Sequence, residues 1–306
     1  MSDSPTTLST PAAASLARHR AFSLVRIGAL AANTLLDLIR QKVFYFLIVF
    51  ALVLIGCSCF MDFIRPELQF QVIKDVSLGA MSIFTWLLSV LATAMLLPKD
   101  IEDRTLYTIL AKPVPRFEYL LGKLCGVLLL LAVSTVIMGA MFSVVLFAKE
   151  QFVVAGLRHE LGGNPAALAE ALKGVYAGTF SSALVAGIIA IYLKAAIFAA
   201  LTLFISTFAS SYIFTVVISV AVYLIGHLVP MARDYCLSGG GGFVAKATVA
   251  VVALLFPDLQ LFNLTDDIVA GNAIPLPIFL HTCGLGFLYI AVYTCVAYFT
   301  FAKKEL

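Results

Sequence analysis

Residues 98–147 read PKDIEDRTLYTILAKPVPRFEYLLGKLCGVLLLLAVSTVIMGAMFSVVLF, a dense polar segment (98–123) that runs straight into an apolar stretch of bilayer length. A hydrocarbon core about 30 Å thick needs about 20 apolar residues per helical span, and the stretch from Tyr119 to Phe147 meets that length. It lacks the polar–apolar alternation of a barrel strand, and unpaired backbone groups cannot face lipid, so it is a helix. Runs of the same kind recur at 43–61, 76–97, 180–208, 212–229 and 277–301, which gives six spans. The fold class expected is an all-α polytopic membrane protein.

Composition points the same way. The chain is 62% hydrophobic and only 12% charged, with a mean hydropathy of +1.04, against roughly a quarter charged residues in soluble domains. A net charge of +3, gathered at span ends, does not describe a nucleic-acid binder. The six cysteines form neither a C-x-x-C pair nor a Cys/His cluster, so no metal site and no disulfide framework is expected.

The remaining segments fall into place around the spans. Residues 1–20, rich in Ser, Thr, Pro and Ala, are expected to be a disordered tail, and residues 21–306 one transmembrane domain. The N-terminal region does not read as a secretory signal, because Arg26, Asn33 and Asp37 interrupt the apolar run. Over 21–42 the polar residues Arg26, Asn33, Asp37 and Arg40 recur at helical spacing, with Leu24, Ile27, Ala31, Leu35 and Leu38 on another face, which predicts an interfacial helix. With both termini and the 98–123 segment cytoplasmic, twelve Lys and Arg lie inside against seven outside, so that orientation is expected. Residues 164–174 predict a short external helix, with Asn164 as cap, Pro165 in the first turn and Gly174 at the close. Gly239–Gly242 break the chain before the apolar run 243–256, which at 14 residues suits a re-entrant helix better than a seventh span.

The polar segment has an internal design. Asp100, Glu102 and Asp103 are expected to open a short helix, Lys112 to sit in its last turn and Pro113 to stop it, an arrangement that complements the helix dipole at both ends. Pro115 then opens the next helix. The short helix is thereby tied to a span on each side.

The run from Asp100 through Thr105-Leu106, Lys112-Pro113 and Arg116 to Gly122-Lys123 resembles the signature cytoplasmic loop of ABC-2 type transporter permeases. The order of a surface helix, six spans and a 257–263 segment before the last span is similar to that family's layout. The resemblance implies a permease subunit of an exporter in the bacterial cytoplasmic (inner) membrane, pairing as a homodimer or with a related permease. It implies that 98–123 carries the coupling helix, seated on a separate ATPase subunit that binds ATP and Mg. By matching position Glu102, Thr105, Pro113, Arg116, Gly122 and Lys123 form that interface, flanked by Asp100, Arg104 and Lys112. Arg104 stands where the family often has Gly, which implies an ATPase with a compensating acid. The chain carries no G-x-x-x-x-G-K-[ST], so the ATPase must be another polypeptide, and this chain needs no cofactor of its own.

One ionisable residue, Lys194, falls near the middle of a span, where a charge costs roughly 2.5–3.5 kcal/mol on insertion scales. A place on the transport path, against substrate or a lipid headgroup, is the functional expectation. Catalysis is not expected: no paired acids or nucleophile with its base share one depth, and His227 and His281 are placed at outer span ends. The alternatives are an ion-coupled secondary transporter, against which stands the lack of Asp or Glu in any span interior, and a non-transporting membrane anchor or regulator of an ATPase.

Overall fold

A computed structural model describes residues 23–58, 66–102, 115–161, 163, 165–179, 182–209, 211–238, 242, 247–249, 259–270, 272 and 274–303. Among them all the regular structure is helical. In chain order the elements are α1 (Leu24–Ile39), α2 (Lys42–Cys57), α3 (Pro66–Glu102), α4 (Arg116–Leu161), α5 (Pro165–Thr179), α6 (Ser182–Phe208), α7 (Tyr212–Leu237), a 3-10 turn (Leu259–Phe262), α8 (Thr265–Val269) and α9 (Leu276–Lys303). Five of these, α3, α4, α6, α7 and α9, are long and apolar enough to cross a membrane, and α1 with α2 makes a sixth if that bent pair counts as one span. The protein is an integral membrane protein by this measure.

The helix ends follow local chemistry. Ser211 is extended and its side chain accepts from the Phe214 amide at 3.3 Å, which starts α7. Pro66 and Pro165 stand first in α3 and α5, where a missing amide is harmless. Inside the helices, Ser134, Thr135 and Thr294 donate to the carbonyl one turn back at 2.6–2.8 Å, so their hydroxyls are satisfied without leaving the apolar layer.

Several boundaries differ from expectation. α3 does not end at Leu97: it continues through Pro98, which forfeits one ladder bond, to Glu102. Asp100 and Glu102 therefore lie within the same long helix instead of opening a short one. The rest of the expected short helix, from residue 103 to Lys112, lies outside the described residues. α4 runs 46 residues, about 69 Å at 1.5 Å per residue, far past Phe147; Lys149 and Glu150, beyond the expected end of the span, are buried within it. Gly174 does not stop α5, which continues to Thr179. α7 passes through Pro230 to Leu237, which moves His227 from a span end into a helix interior. The 243–256 segment is described only at 247–249, and the 1–20 tail not at all.

α3 and α6 form the centre of the bundle, with 72% and 78% of their most apolar windows buried, while α7 and α9 bury only 28% each and present apolar faces outward. Ser89 Oγ donates to the Ala195 carbonyl at 2.7 Å and ties α3 to α6. Gly286 on α9 lies against Leu193 of α6, and Gly187 of α6 against Ile268, so a methyl group at either glycine would overlap a neighbour. Apolar side chains fall into two clusters. One gathers Trp86, Leu97, Tyr119, Phe198, Phe262 and Phe301, towards the end where α3 stops and α4 starts; the other gathers Ile55, Ile73, Met81, Phe142 and Ile268 beyond it.

Candidate functional site

Two places concentrate polar chemistry, the first being the opening turns of α4. Glu118 is buried, and its Oε1 accepts from Arg26 Nη2 at 2.9 Å and from the Ser23 backbone amide at 3.1 Å. Arg26 Nε also lies 2.8 Å from Oε2, a charge contact without hydrogen-bond alignment. Ser23 is the N-cap of α1 and makes no side-chain cap of its own, so the carboxylate of another helix caps α1 and favours its positive end.

The same two helices then press together. Leu30 meets Gly122 and Thr34 meets Gly126, where an added Cβ would come within 2.6 Å of the neighbouring side chain in both cases. Arg26–Glu118, Leu30–Gly122 and Thr34–Gly126 share one sequence offset of 92, so α1 runs in the same direction as the start of α4. At Arg40–Gln41 the chain bends by 68° into α2. Gly122-x-x-x-Gly126 is thus a close-packing seam of the small-xxx-small kind.

One turn on, Lys123 Nζ pairs with Asp100 Oδ2 at 2.7 Å, and the Tyr119 hydroxyl donates to the same oxygen. The Lys123 ammonium also stands 5.7 Å from the Tyr119 ring centre. An acid in the last turn of α3 opposes the helix dipole, and the lysine offsets it. Tyr119 in turn stacks on Phe301 at 6.1 Å and 20°. Arg116 Nη1 donates to the carbonyls of Ala302 at 2.8 Å and Phe301 at 3.4 Å, a cation on the last turn of α9. The ends of α1, α3 and α9 are therefore knotted onto the first two turns of α4.

Of the residues expected at an ATPase interface, Asp100, Gly122 and Lys123 are engaged inside the chain and Arg116 is bonded to the end of α9. Glu102 lies in α3; Arg104, Thr105, Lys112 and Pro113 lie outside the described residues. Glu118 and Gly126 carry no functional expectation from sequence, and Arg26 enters there only as a polar residue of a surface helix. The four-residue spacing of Gly122 and Gly126 at a span end is the signal for such a seam.

The second place is halfway along α6. Lys194 is 7% exposed, and among the described residues its ammonium lies over the Tyr223 ring at 5.8 Å. Trp86 of α3 stacks on the same ring at 3.8 Å and 27°, Phe198 packs at 5.5 Å, and His227 is next at 4.3 Å. His227 Nδ1 lies 3.1 Å from the Tyr223 carbonyl, and the imidazole is within electrostatic reach of Lys194. Among the described residues, the buried Trp86 Nε1 and the Ser219 hydroxyl, one turn along α7 from Tyr223, have no hydrogen-bond partner. A desolvated cation–π contact is worth about 2 kcal/mol, short of the roughly 3 kcal/mol that a mid-span lysine costs on insertion. Lys194 sits inside the bundle, as a mid-span charge should; its aromatic surround is not expected from sequence. The signals for it are the single tryptophan and the four-residue spacing of Tyr223 and His227.

A third feature, a cleft of about 600 Å³, opens between the α1–α2 bend, the end of α3 and the start of α7, with Lys42 and Lys99 among its lining residues. Among the described residues no three His, Cys, Asp or Glu side chains come together as metal ligands. No family model matches the chain, and no curated protein matches it.

Proposed function

We propose that the chain is the membrane permease subunit of an ABC-2 type ATP-binding-cassette transporter, working in export. It pairs with a second copy or a related permease and is driven by separate ATPase subunits that hold ATP and Mg. The observation that carries the reading is the knot at the start of α4. The Asp100–Lys123 pair ties α3 to the start of α4, the two helices that residues 103–114 join in sequence, and in this reading a push on that segment is delivered to both at once. Glu118 and the glycine seam add α1 to the same body, and Arg116 adds α9.

In this reading Glu102, Arg104, Thr105, Lys112 and Pro113 face the ATPase on the cytoplasmic side. Asp100, Arg116, Gly122 and Lys123 are the frame behind them, turned inward because a lever must be fastened to what it moves. The termini are cytoplasmic and the membrane is the bacterial inner membrane, with α1 at the cytoplasmic interface, its Asn33 and Arg40 exposed, and residues 243–256 re-entrant from the far side.

The test is purification of the full-length chain from its native membrane with its associated proteins. A copurifying Mg-dependent ATPase is expected, with turnover reduced at least tenfold, about 1.4 kcal/mol, by Glu102→Lys or Arg104→Glu. Absence of an ATPase, or turnover indifferent to both reversals, would favour the secondary-transporter or anchor reading.

A further inference from the structure

We propose that Lys194, Trp86, Tyr223 and His227 form a binding site for an anionic group, a phosphate or carboxylate, carried without a compensating cation by an amphiphile that enters sideways past α7. The donor set decides the ligand's sign. Lys194 offers an ammonium that lies over a ring, and Trp86 offers a buried indole N–H without an acceptor among the described residues. An indole can only donate and an ammonium can only donate, so the complement of this pair is an acceptor, and a charged one. A second cation or a neutral sugar would leave Lys194 uncompensated in the middle of the bundle.

Exposure decides the route. Lys194 and Trp86 are 7% and 8% exposed, Tyr223 is half-buried, and His227 is exposed at the rim. Leu224 and Leu228, next in sequence to Tyr223 and His227, are 57% and 59% exposed. A molecule with an apolar tail lies along those leucines and turns its head inward past His227, displacing the ammonium from the Tyr223 ring. Polar groups inside an apolar span with this gradient from surface to centre describe a lateral port.

That the bound anion is cargo rests on the permease reading; that it binds does not, since no ATPase is needed for binding. The chain holds a single tryptophan, and it is part of the site, so its fluorescence reports occupancy directly. The full chain in phosphatidylcholine nanodiscs is titrated with phosphatidylglycerol, with additional phosphatidylcholine, and separately with inorganic phosphate. A saturable shift in Trp86 emission with phosphatidylglycerol and not with phosphatidylcholine is expected. Lys194→Met and Lys194→Gln should weaken it at least tenfold, and Lys194→Arg should keep it. A response to phosphate alone would keep the anion site and assign a soluble ligand, overturning the amphiphile. Equal responses to both lipids, equal responses of wild type and both neutral variants, or no response to any anion would overturn the proposal. Two neutral variants of different polarity guard against one failing to fold, and monodisperse elution of each is the control.

Discussion

Lys123 and Lys194 are each 7% exposed and each stands near a tyrosine ring, at 5.7 and 5.8 Å, yet among the described residues only Lys123 is paired with a carboxylate, Asp100 at 2.7 Å. The same side chain in the same degree of burial is thus closed in one place and open in the other. At the start of α4 Arg26, Asp100, Arg116, Glu118 and Lys123 all find partners inside the chain, as a fastening requires. In the middle of α6 the described residues bring together a cation, a ring and a donor, with no acceptor among them.

Removing one half of the closed pair is the largest change expected. Lys123→Met leaves Asp100 with its ion-pair partner gone in a largely buried setting, and breaking such a pair costs about 3 kcal/mol, read by reversible SDS unfolding. Asp100→Leu with Lys123→Met and Tyr119→Phe should recover most of that loss, since packed apolar groups replace a buried ion pair with little penalty and the Tyr119 hydroxyl that donates to Asp100 is not left without an acceptor. A triple variant no better than the single would mean that the pair itself holds α3 to α4. Next in size is Gly126→Val, which forces added carbon into Thr34 and towards the Ala31 carbonyl at 2.9 Å. A loss of about 1–3 kcal/mol is expected, with faster proteolysis of α1 while α6 keeps its hydrogen-exchange protection.

This contrast explains what is legible in the sequence. Five of the six expected spans fall on helices long and apolar enough to cross a membrane, because apolar run length is a local property, and Lys194 stands out because a charge in such a run is rare. Partner residues are invisible there because they are set by packing between segments distant in sequence: nothing local to Glu118 announces Arg26, 92 residues away. Boundaries depart from expectation where a local signal is outweighed. The apolar run ends at Leu97, yet α3 continues through Pro98 to where Asp100 is tied to Lys123 of α4. Lys149 and Glu150 read as a span end because they are charged, although α4 carries both, buried, past the bilayer length.

Lys194→Met sharpens the comparison by reversing its sign. A charge costing roughly 3 kcal/mol is removed together with a cation–π contact of about 2 kcal/mol, so the variant should gain about 1 kcal/mol of stability over wild type. Stabilisation with loss of anion response is the signature of a residue kept for binding. A loss of stability comparable to that of Lys123→Met would mean that Lys194 is fastened as well.

The smallest effect belongs to Arg116→Ala. Its guanidinium reaches two terminal carbonyls of α9 from a half-buried position, where solvent still weakens the charge, so about 0.5–1 kcal/mol is expected. Hydrogen exchange should quicken in the last turn of α9 and nowhere in α3. Arg116→Lys keeps the charge but loses the planar fork, and should recover about half. If Arg116 and Lys123 act as separate contacts, the double variant's loss equals the two single losses added, since the two side chains fasten different helices. A smaller combined loss means that α3 and α9 release together once either fastening goes, and the start of α4 then behaves as one cooperative joint, the property a lever between a motor and the membrane requires.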